Sequence, residues 1–323
     1  MLARFPHPKR HSGQTARGGF TLIEILAVIL IISILMAFLL PAINRVRVTA
    51  RVTQVRTEIS AIESAMTTFK TQFGGVEPPS SIFICETASD WFLPGNSNSR
   101  AFIRQLWPQF DFTYSTFPSN QVDINGDSSY GGVALSPPEC LVFFLGGMPT
   151  VTVSGGKKLF ALSGFSKNPL FPFSPPTTGT NRDPAIFPFD TSRLIDLNSN
   201  GFPEYMDPLP AQTKPYVYYS SYDGQGYKKA EFGGGGLIEP YRQATSASSP
   251  VWNAKSCQII SPGSDREYGF GGAFVSGGSD HLPVDNSQYP NTITGATVPP
   301  TAKQRAYEED NITNFHSAML GGS

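Results

Sequence analysis

Cysteine and histidine are scarce in this chain, with three cysteines and four histidines among 323 residues. Cys85, Cys140 and Cys257 are widely spaced and fit no C-x-x-C metal pattern, and the scattered histidines form no zinc-binding constellation. The sequence therefore offers no zinc site. A disulfide, for example between Cys85 and Cys140 in an oxidising compartment, stays open because spacing alone does not give the required geometry.

Charge is also sparse. Charged residues make up 15% of the chain, the formal net charge is −1, and no basic cluster occurs beyond residue 56. Nothing favours nucleic acid as the main partner.

Catalytic motifs are missing as well, since the chain has neither a G-x-S-x-G elbow nor an H-E-x-x-H pair, and His281 lies in the Gly/Ser-rich "GGSDHLP". We expect no enzyme; a membrane-anchored enzymatic or ligand-binding domain is the alternative.

Glycine and proline are plentiful, with 31 and 28 residues concentrated after residue 74. They predict a loop-rich body with short strands and place most of the helix at the N-terminus. The fold class is therefore α+β, and the length suits one sizeable domain or two small ones.

A long apolar run, "FTLIEILAVILIISILMAFLL", occupies residues 20–40 and contains one charge. At about 1.5 Å per residue it matches a hydrocarbon core of about 30 Å, which predicts a transmembrane helix. Arg4, Lys9, Arg10 and Arg17 precede it without an acid, so the N-terminus should be cytoplasmic and the rest of the chain on the far side. Arg45, Arg47, Arg51 and Arg56 after the run oppose that charge argument.

The single carboxylate in this run, Glu24, would be costly in hydrocarbon without a partner. Two glycines precede the run, and the order Gly19, Phe20, Thr21, Leu22, Ile23, Glu24, followed by Pro41, resembles the class III signal of type IV prepilins. The resemblance implies that prepilin peptidase removes a leader, residues 1–19, by cutting between Gly19 and Phe20, and then methylates the Phe20 amine. Glu24 could pair with that amine, in its own chain or in the next subunit, and set the register of a filament. A plain signal anchor with an incidental glutamate is the alternative.

Residues 41–75 continue the helix as an amphipathic segment that ends at Gly74-Gly75. Its apolar side chains recur at spacings of four and three, which predicts one apolar stripe. The stripe consists of Val48, Val52, Val55, Ile59, Ile62, Met66, Phe69 and Phe73. We expect it to pack on the protein's own sheet; a coiled-coil dimer is the alternative.

The segment "TEISAIESAMTTFKTQFGGVEPPS" carries a second resemblance, to the helix end of the major, G-type pseudopilins of type II secretion systems. The matching residues are Ile59, Ile62, Glu63, Ala65, Met66, Phe69, Lys70, Gly74 and Pro78. Further along, Asp207, Pro208, Pro215, Tyr216 and Tyr218 match a D-P pair and a P-Y-x-Y strand, but Leu209-Pro210 replaces the usual W-G. The resemblance implies a pilin-like fold in which the long helix packs on a small antiparallel sheet in a loop-rich domain, residues 76–323. Residues 79–200 are then a large insertion, expected to add short helices and hairpins.

The implied function is that of a structural subunit of a type II secretion pseudopilus, held in the bacterial inner membrane with its C-terminal domain in the periplasm. Its partners would be prepilin peptidase, like subunits, other pseudopilins, the inner-membrane assembly platform and, before assembly, membrane lipid. A type IV pilin for adhesion, motility or DNA uptake is the alternative, although such pilins more often carry a C-terminal cysteine pair, and only Cys257 is present there.

Two acidic segments raise the question of calcium. "SPGSD" and "EEDNITNF" resemble the two segments between which major pseudopilins bind calcium, which implies Ser261, Asp265 and Asp310 as ligands, with Glu309 as an additional candidate. Two solvated acidic turns are the alternative.

A separate loop, "DLNSNGFPEYMD", is close to the D-x-[DN]-x-[DN]-G-x5-E calcium template, with Asp in place of the final Glu. Its candidate ligands are Asp196, Asn198, Asn200, Glu204 and Asp207. Pro203 and Pro208 disfavour flanking helices, so an Asn/Gly-rich turn is the alternative. The stretch "DINGDSSYGG" is interpreted as a turn only.

Overall fold

The computed structural model describes Gly19, 21–176, 181–228, Glu231, 238–246, 248–277, 280–284 and 305–322. The leader residues 1–18 and Phe20 lie outside the described residues, as does the side chain of Pro41. The chain divides into two compact units, Met1–Ala50 and Arg51–Ser323.

One helix, α1, runs without interruption from Leu22 to Gln72. The chain beyond it turns at Gly74, whose φ of +67° lies in the left-handed region that glycine adopts without strain. The predicted helix, about residues 20–73, is confirmed for the described residues. From Val55 to Phe69 the stripe is buried in the protein's own body, as predicted, whereas Val48 is 45% exposed.

Two shorter helices follow, α2 (Ser97–Leu106) and α3 (Pro137–Gly146). Single turns of 3₁₀ helix lie at Asp90–Phe92, Pro94–Asn96, Pro118–Asn120, Thr191–Arg193 and Ala306–Glu308. Helix α3 begins at a Ser-Pro-Pro-Glu sequence, and all ten of its residues are buried. Proline suits the first turn of a helix, where its missing N–H is not needed.

The strands are short, as the glycine and proline content predicted. They are β1 (Ile82–Ile84), β2 (Val133–Leu135), β3 (Pro149–Ser154), β4 (Lys157–Leu162), β5 (Leu194–Ile195), β6 (Glu204–Tyr205), β7 (Val217–Ser220), β8 (Glu239–Arg242), β9 (Cys257–Ser261), β10 (Gly271–Ala273) and β11 (Ile312–Thr313). A three-stranded antiparallel sheet has the order β11-β9-β7, with Val217 opposite Ile260 and Ile312 opposite Ser261. The other pairs are β1-β2, β3-β4, β5-β6 and the parallel pair β8-β10.

The main core joins the α1 stripe to the three-stranded sheet and to the middle of the chain. It contains Ile59, Ile62 and Phe69 of α1 together with Ile259 and Ile312 of the sheet. Residues 79–200 supply much of it, including an aromatic group formed by Trp91, Phe110, Phe143, Phe165 and Phe173. Residues 79–200, predicted as an insertion, therefore form a large part of the core.

All three cysteines are buried free thiols. The open question of a disulfide is thus answered for this structure, in which Cys85 and Cys140 are not bridged. The observed architecture is an α+β mix of a long N-terminal helix, further short helices and small, mainly antiparallel sheets, consistent with a pilin-like fold.

Candidate functional site

Helix α1 begins with a capping box formed by Thr21 and Glu24. The backbone N–H and the hydroxyl of Thr21 each donate to Glu24 Oε2 over 2.7 Å, and the Glu24 N–H donates to Thr21 Oγ1 over 3.3 Å. This reciprocal pattern satisfies backbone donors that the first helical turn leaves unpaired. Sequence analysis missed the role of Thr21, although T-x-x-E before an apolar run is the signal for it.

The helix that follows is apolar over a membrane's thickness. Leu22–Leu39 has a mean hydropathy of 3.0 and is wholly exposed, and it is the single such span among the described residues. Gly19 is exposed next to this start. The carboxylate of Glu24 therefore lies at the N-terminal end of the helix, where the helix dipole favours negative charge.

Glu58, in the second half of α1, anchors the helix to the body. Its Oε2 accepts from Arg193 Nη1 over 2.9 Å and from the Tyr216 hydroxyl over 2.8 Å, while its Oε1 accepts from Arg193 Nη2 and from the Tyr205 hydroxyl. The guanidinium carbon of Arg193 also lies 4.3 Å from the centre of the Tyr205 ring. This cluster could not be predicted from the sequence, because Glu58 is more than 130 residues from each of its partners along the chain.

The first calcium candidate is partly assembled. Asp310 Oδ2 accepts the backbone N–H groups of Ser264, over 2.5 Å, and Asp265, over 3.0 Å. Asp310 Oδ1 is buried without a hydrogen-bond partner. Burial, followed by the nearby Asp310 carboxylate, raises the pKa of Asp265 to about 6. The fold thus brings Asp265 and Asp310 together across the intervening segment, and it leaves one buried oxygen unsatisfied.

Ser261 belongs to the same turn but is engaged with Asp207. Its hydroxyl donates to Asp207 Oδ2 over 2.5 Å, and Gln212 Nε2 donates to the same oxygen over 2.9 Å and to the Gly263 carbonyl over 2.6 Å. Burial raises the pKa of Asp207 to about 6. Asp207, predicted as a ligand of the second loop, therefore lies beside the first candidate. Glu309 is exposed.

The second calcium candidate is a loop closed by its own backbone. Asp196 Oδ1 accepts from the Asn200 N–H over 3.1 Å, Asp196 Oδ2 accepts from the Gly201 N–H over 3.2 Å, and Lys158 forms an ion pair with Asp196 at 3.1 Å. Glu204 Oε2 accepts the Leu197 N–H over 2.9 Å, and burial raises the pKa of Glu204 to about 7. Both carboxylate oxygens of Asp196 and one of Glu204 are thus bonded to groups of the protein itself.

Glu139 clamps this loop to the start of helix α3. The side-chain amides of Asn198 and Asn200 donate to Glu139 Oε1 over 2.9 and 2.6 Å, and the Ser136 N–H donates to Glu139 Oε2 over 2.6 Å. Glu139 is fully buried. Sequence analysis missed it, although the S-x-x-E spacing of a capping box was present.

No group of three His, Cys, Asp or Glu side chains close enough to hold a metal ion occurs among the residues that the structure describes. A calcium ion at either candidate would therefore need hydroxyl, amide or backbone oxygens in addition to carboxylates, which calcium accepts readily.

Comparison with known proteins gives one match. Residues 14–40 match the model of the prokaryotic N-terminal methylation motif, which includes Gly19, Phe20 and Glu24. No curated protein and no solved structure matches the chain. The motif is that of the type IV pilin-like prepilin signal, so it supports processing by prepilin peptidase, assembly with like subunits and a single-pass membrane anchor.

Proposed function

We propose that this chain is a structural subunit of a type II secretion pseudopilus and that it has no catalytic role. The methylation motif, in which Gly19 and Phe20 precede the Glu24 cap of an exposed apolar helix, supports a processed, pilin-like subunit. The resemblance of the end of α1 to G-type pseudopilins favours the secretory role over a pilus. One stripe of the second half of α1, from Val55 to Phe69, is buried in the body, whereas Leu22–Leu39 is exposed, so this apolar span is available for lipid before assembly and for neighbouring helices afterwards.

In the proposed cycle the N-terminus is cytoplasmic, the C-terminal domain is periplasmic, and cleavage after Gly19 creates a cation at Phe20. Phe20 is four residues from Glu24 in the sequence, and a carboxylate in a membrane is tolerated chiefly when it is paired. The assembly platform, other pseudopilins and like subunits would be the partners during extraction from the membrane.

Processing is tested by intact mass after co-expression with prepilin peptidase. We expect the wild-type chain to lose residues 1–19 and gain one methyl group, and Gly19→Ala to keep its full mass. The matched variant Gly18→Ala should still be cut. An unchanged wild-type mass in the presence of an active peptidase would contradict the proposal.

The secretory role is tested by deleting the gene and measuring two sets of phenotypes. Loss of protein export with intact surface pili supports a pseudopilus subunit. Loss of adhesion, twitching or DNA uptake with normal export would instead assign the chain to a type IV pilus and overturn the secretory role.

Calcium is a separate proposal. Asp265 and Asp310, with Ser261 and backbone oxygens nearby, fit a hard cation, because two carboxylates lie close together and Asp310 Oδ1 has no hydrogen-bond partner. We expect EDTA to lower the melting temperature of the detergent-solubilised protein and added calcium to restore it, with the effect lost in Asp265→Ala. Asp127→Ala, at an exposed turn, should keep it. A wild-type melting temperature that EDTA leaves unchanged would contradict the calcium site.

A further inference from the structure

Helix α1 carries an unbalanced positive charge just beyond its apolar span. The charge comes from Arg45, Arg47, Arg51 and Arg56. Residues 25–57 contain no Asp or Glu, and the next carboxylate along the helix, that of Glu58, is bonded to groups of the body. These arginines oppose the expected orientation of the chain, so orientation does not account for them.

Arg47 and Arg51 are exposed on this part of the helix. No described residue forms a hydrogen bond or an ion pair with either side chain. The two arginines are four residues apart, so they lie on the same face of the helix, where like charges repel each other. An anion bound beside them would offset that repulsion.

The same stretch exposes apolar side chains. Ile43 is 37% exposed, Val46 68% and Val48 45%, and Arg47 lies between the two valines. Exposed apolar groups mixed with arginines are typical of the layer in which lipid headgroups meet the hydrocarbon, because the apolar groups are buried in lipid while the charges stay in the polar layer.

The spacing along the helix suits that layer. At about 1.5 Å per residue, Arg47 is about 12 Å and Arg51 about 18 Å beyond Leu39, the last residue of the apolar span. The headgroup layer adds about 5–8 Å on each side of the hydrocarbon core. Side chains of a helix incline toward its N-terminus, so both arginines extend back toward that layer. Arg56, half-buried and about 25 Å beyond Leu39, lies outside this range.

We propose that Arg47 and Arg51 bind the phosphate groups of anionic lipids, in the leaflet at the C-terminal end of the span. A guanidinium group forms paired, charge-assisted hydrogen bonds with phosphate, and basic side chains beside a span are attracted to anionic headgroups. The contact holds the unassembled subunit at a fixed depth and breaks when the subunit leaves the membrane. The proposal rests on the membrane anchor and not on the secretory role, so it applies equally to a pilus subunit.

The lipid selectivity of the full chain tests the proposal. The protein is reconstituted in phosphatidylcholine vesicles that contain spin-labelled phosphatidylglycerol or spin-labelled phosphatidylcholine, and the motionally restricted fraction of each label gives its association constant. We expect Arg47→Gln to lower the ratio of the phosphatidylglycerol constant to the phosphatidylcholine constant about fivefold, the effect of one arginine near an anionic surface. The basic residues of the leader are the same in every variant, so they do not affect this comparison.

Matched variants separate position from overall charge. Arg47→Lys keeps the charge and should keep most of the ratio, Arg51→Gln should lower it less than Arg47→Gln, and Arg56→Gln should leave it unchanged. A wild-type ratio in Arg47→Gln overturns the proposal. So does an equal fall in Arg56→Gln, which would show that only the net charge of the chain matters.

Acidic side chains of a second copy are the other partner that would match this charge. The apolar neighbours and the position next to the span favour lipid, and sedimentation of the same variants in detergent checks the choice. If Arg47→Gln weakens self-association and leaves the lipid ratio at its wild-type value, the arginines bind a second copy and the lipid proposal is wrong. A lower ratio supports the lipid headgroup, whatever the self-association.

Discussion

At the scale of single residues, Glu24 has one observed and one proposed role, and substitutions can separate them. Its carboxylate caps helix α1 through Thr21, and we propose that its charge pairs with the Phe20 amine after cleavage. Glutamine also functions at the third helical position of a capping box, so Glu24→Gln keeps the cap and removes the charge. We expect Glu24→Gln to insert normally but to be excluded from filaments as strongly as Glu24→Ala, as measured in the sheared filament fraction.

Thr21→Ala provides the complementary control for Glu24, since it removes the capping hydroxyl and keeps the carboxylate. It should enter filaments at near wild-type levels. If Glu24→Gln assembled normally and Thr21→Ala did not, the glutamate would act through the cap, and the charge-pairing role would be wrong.

Glu58 should be a large contributor to stability among the polar residues of α1. Its side chain is 15% exposed and that of Arg193 is 19% exposed, so removing the carboxylate leaves a half-buried cation and two tyrosine hydroxyls unpaired. We expect Glu58→Ala to lower the free energy of unfolding by about 3–5 kcal/mol in urea denaturation. Glu63→Ala, which removes one hydrogen bond to Asn314, should cost only about 1 kcal/mol. Equal losses would show that the Arg193 ion pair is not what makes Glu58 important.

These residues also show what sequence could predict at this scale. Gly19, Phe20 and Glu24 lie within one short segment of the chain, so the methylation motif could be predicted from the sequence, while the roles of the three residues stay predictions. Glu58 and Glu139 could not be predicted in the same way, because their partners, Arg193 and Asn200, are distant in sequence. Only the three-dimensional fold determines which polar groups meet.

At the scale of elements, helix α1 was predictable because its first half is a continuous apolar run, the apolar side chains of its second half keep one period, and glycines follow its end. The second calcium loop was partly predictable. Its D-x-N-x-N-G pattern gives a closed turn, but the attachment of that turn to helix α3 depends on Glu139. Asp207 does not lie in this loop. Strand β6 separates it from the loop, and its side chain is bonded to Ser261 at the end of β9.

The turn after strand β9 gives a prediction with a matched pair of glycines. Gly263 and Gly74 have φ values of +68° and +67°, but a Cβ on Gly263 would clash with the Asp310 carboxylate, whereas one on Gly74 would meet nothing within 4 Å. Gly74→Ala should therefore cost about 1–2 kcal/mol from backbone strain alone. Gly263→Ala should cost clearly more in thermal unfolding, because Asp310 must also move. Because that Cβ would also lie 2.6 Å from the Asp310 backbone oxygen, equal costs would mean that both the side chain and the backbone of Asp310 can shift freely.

At the scale of the whole molecule, the body is held together by contacts between distant segments. The stripe of α1 shares one core with the three-stranded sheet and with the aromatic residues of the middle of the chain, while β7, β8 and β9 contribute to a second cluster around Tyr219, Tyr241 and Ile260. The composition predicted short strands and many loops. The composition could not predict that residues 79–200 fill much of the core. Their aromatic segments are short and separated by turns, so they show no hydrophobic periodicity that would indicate which side chains are buried.

The unit Arg51–Ser323 should fold without the apolar helix that precedes it. That fragment keeps the buried stripe residues Val55, Ile59, Ile62 and Phe69, whereas a fragment that starts at residue 74 loses all of them. Truncating a single buried phenylalanine typically costs about 3–5 kcal/mol, against a total stability of about 5–15 kcal/mol for a domain, so the shorter fragment should not fold. Calorimetry should show one cooperative transition for 51–323 and none for 74–323. A cooperative transition in the shorter fragment would show that the sheet and the middle segment form a self-sufficient core, and the helix would then be an attachment to it.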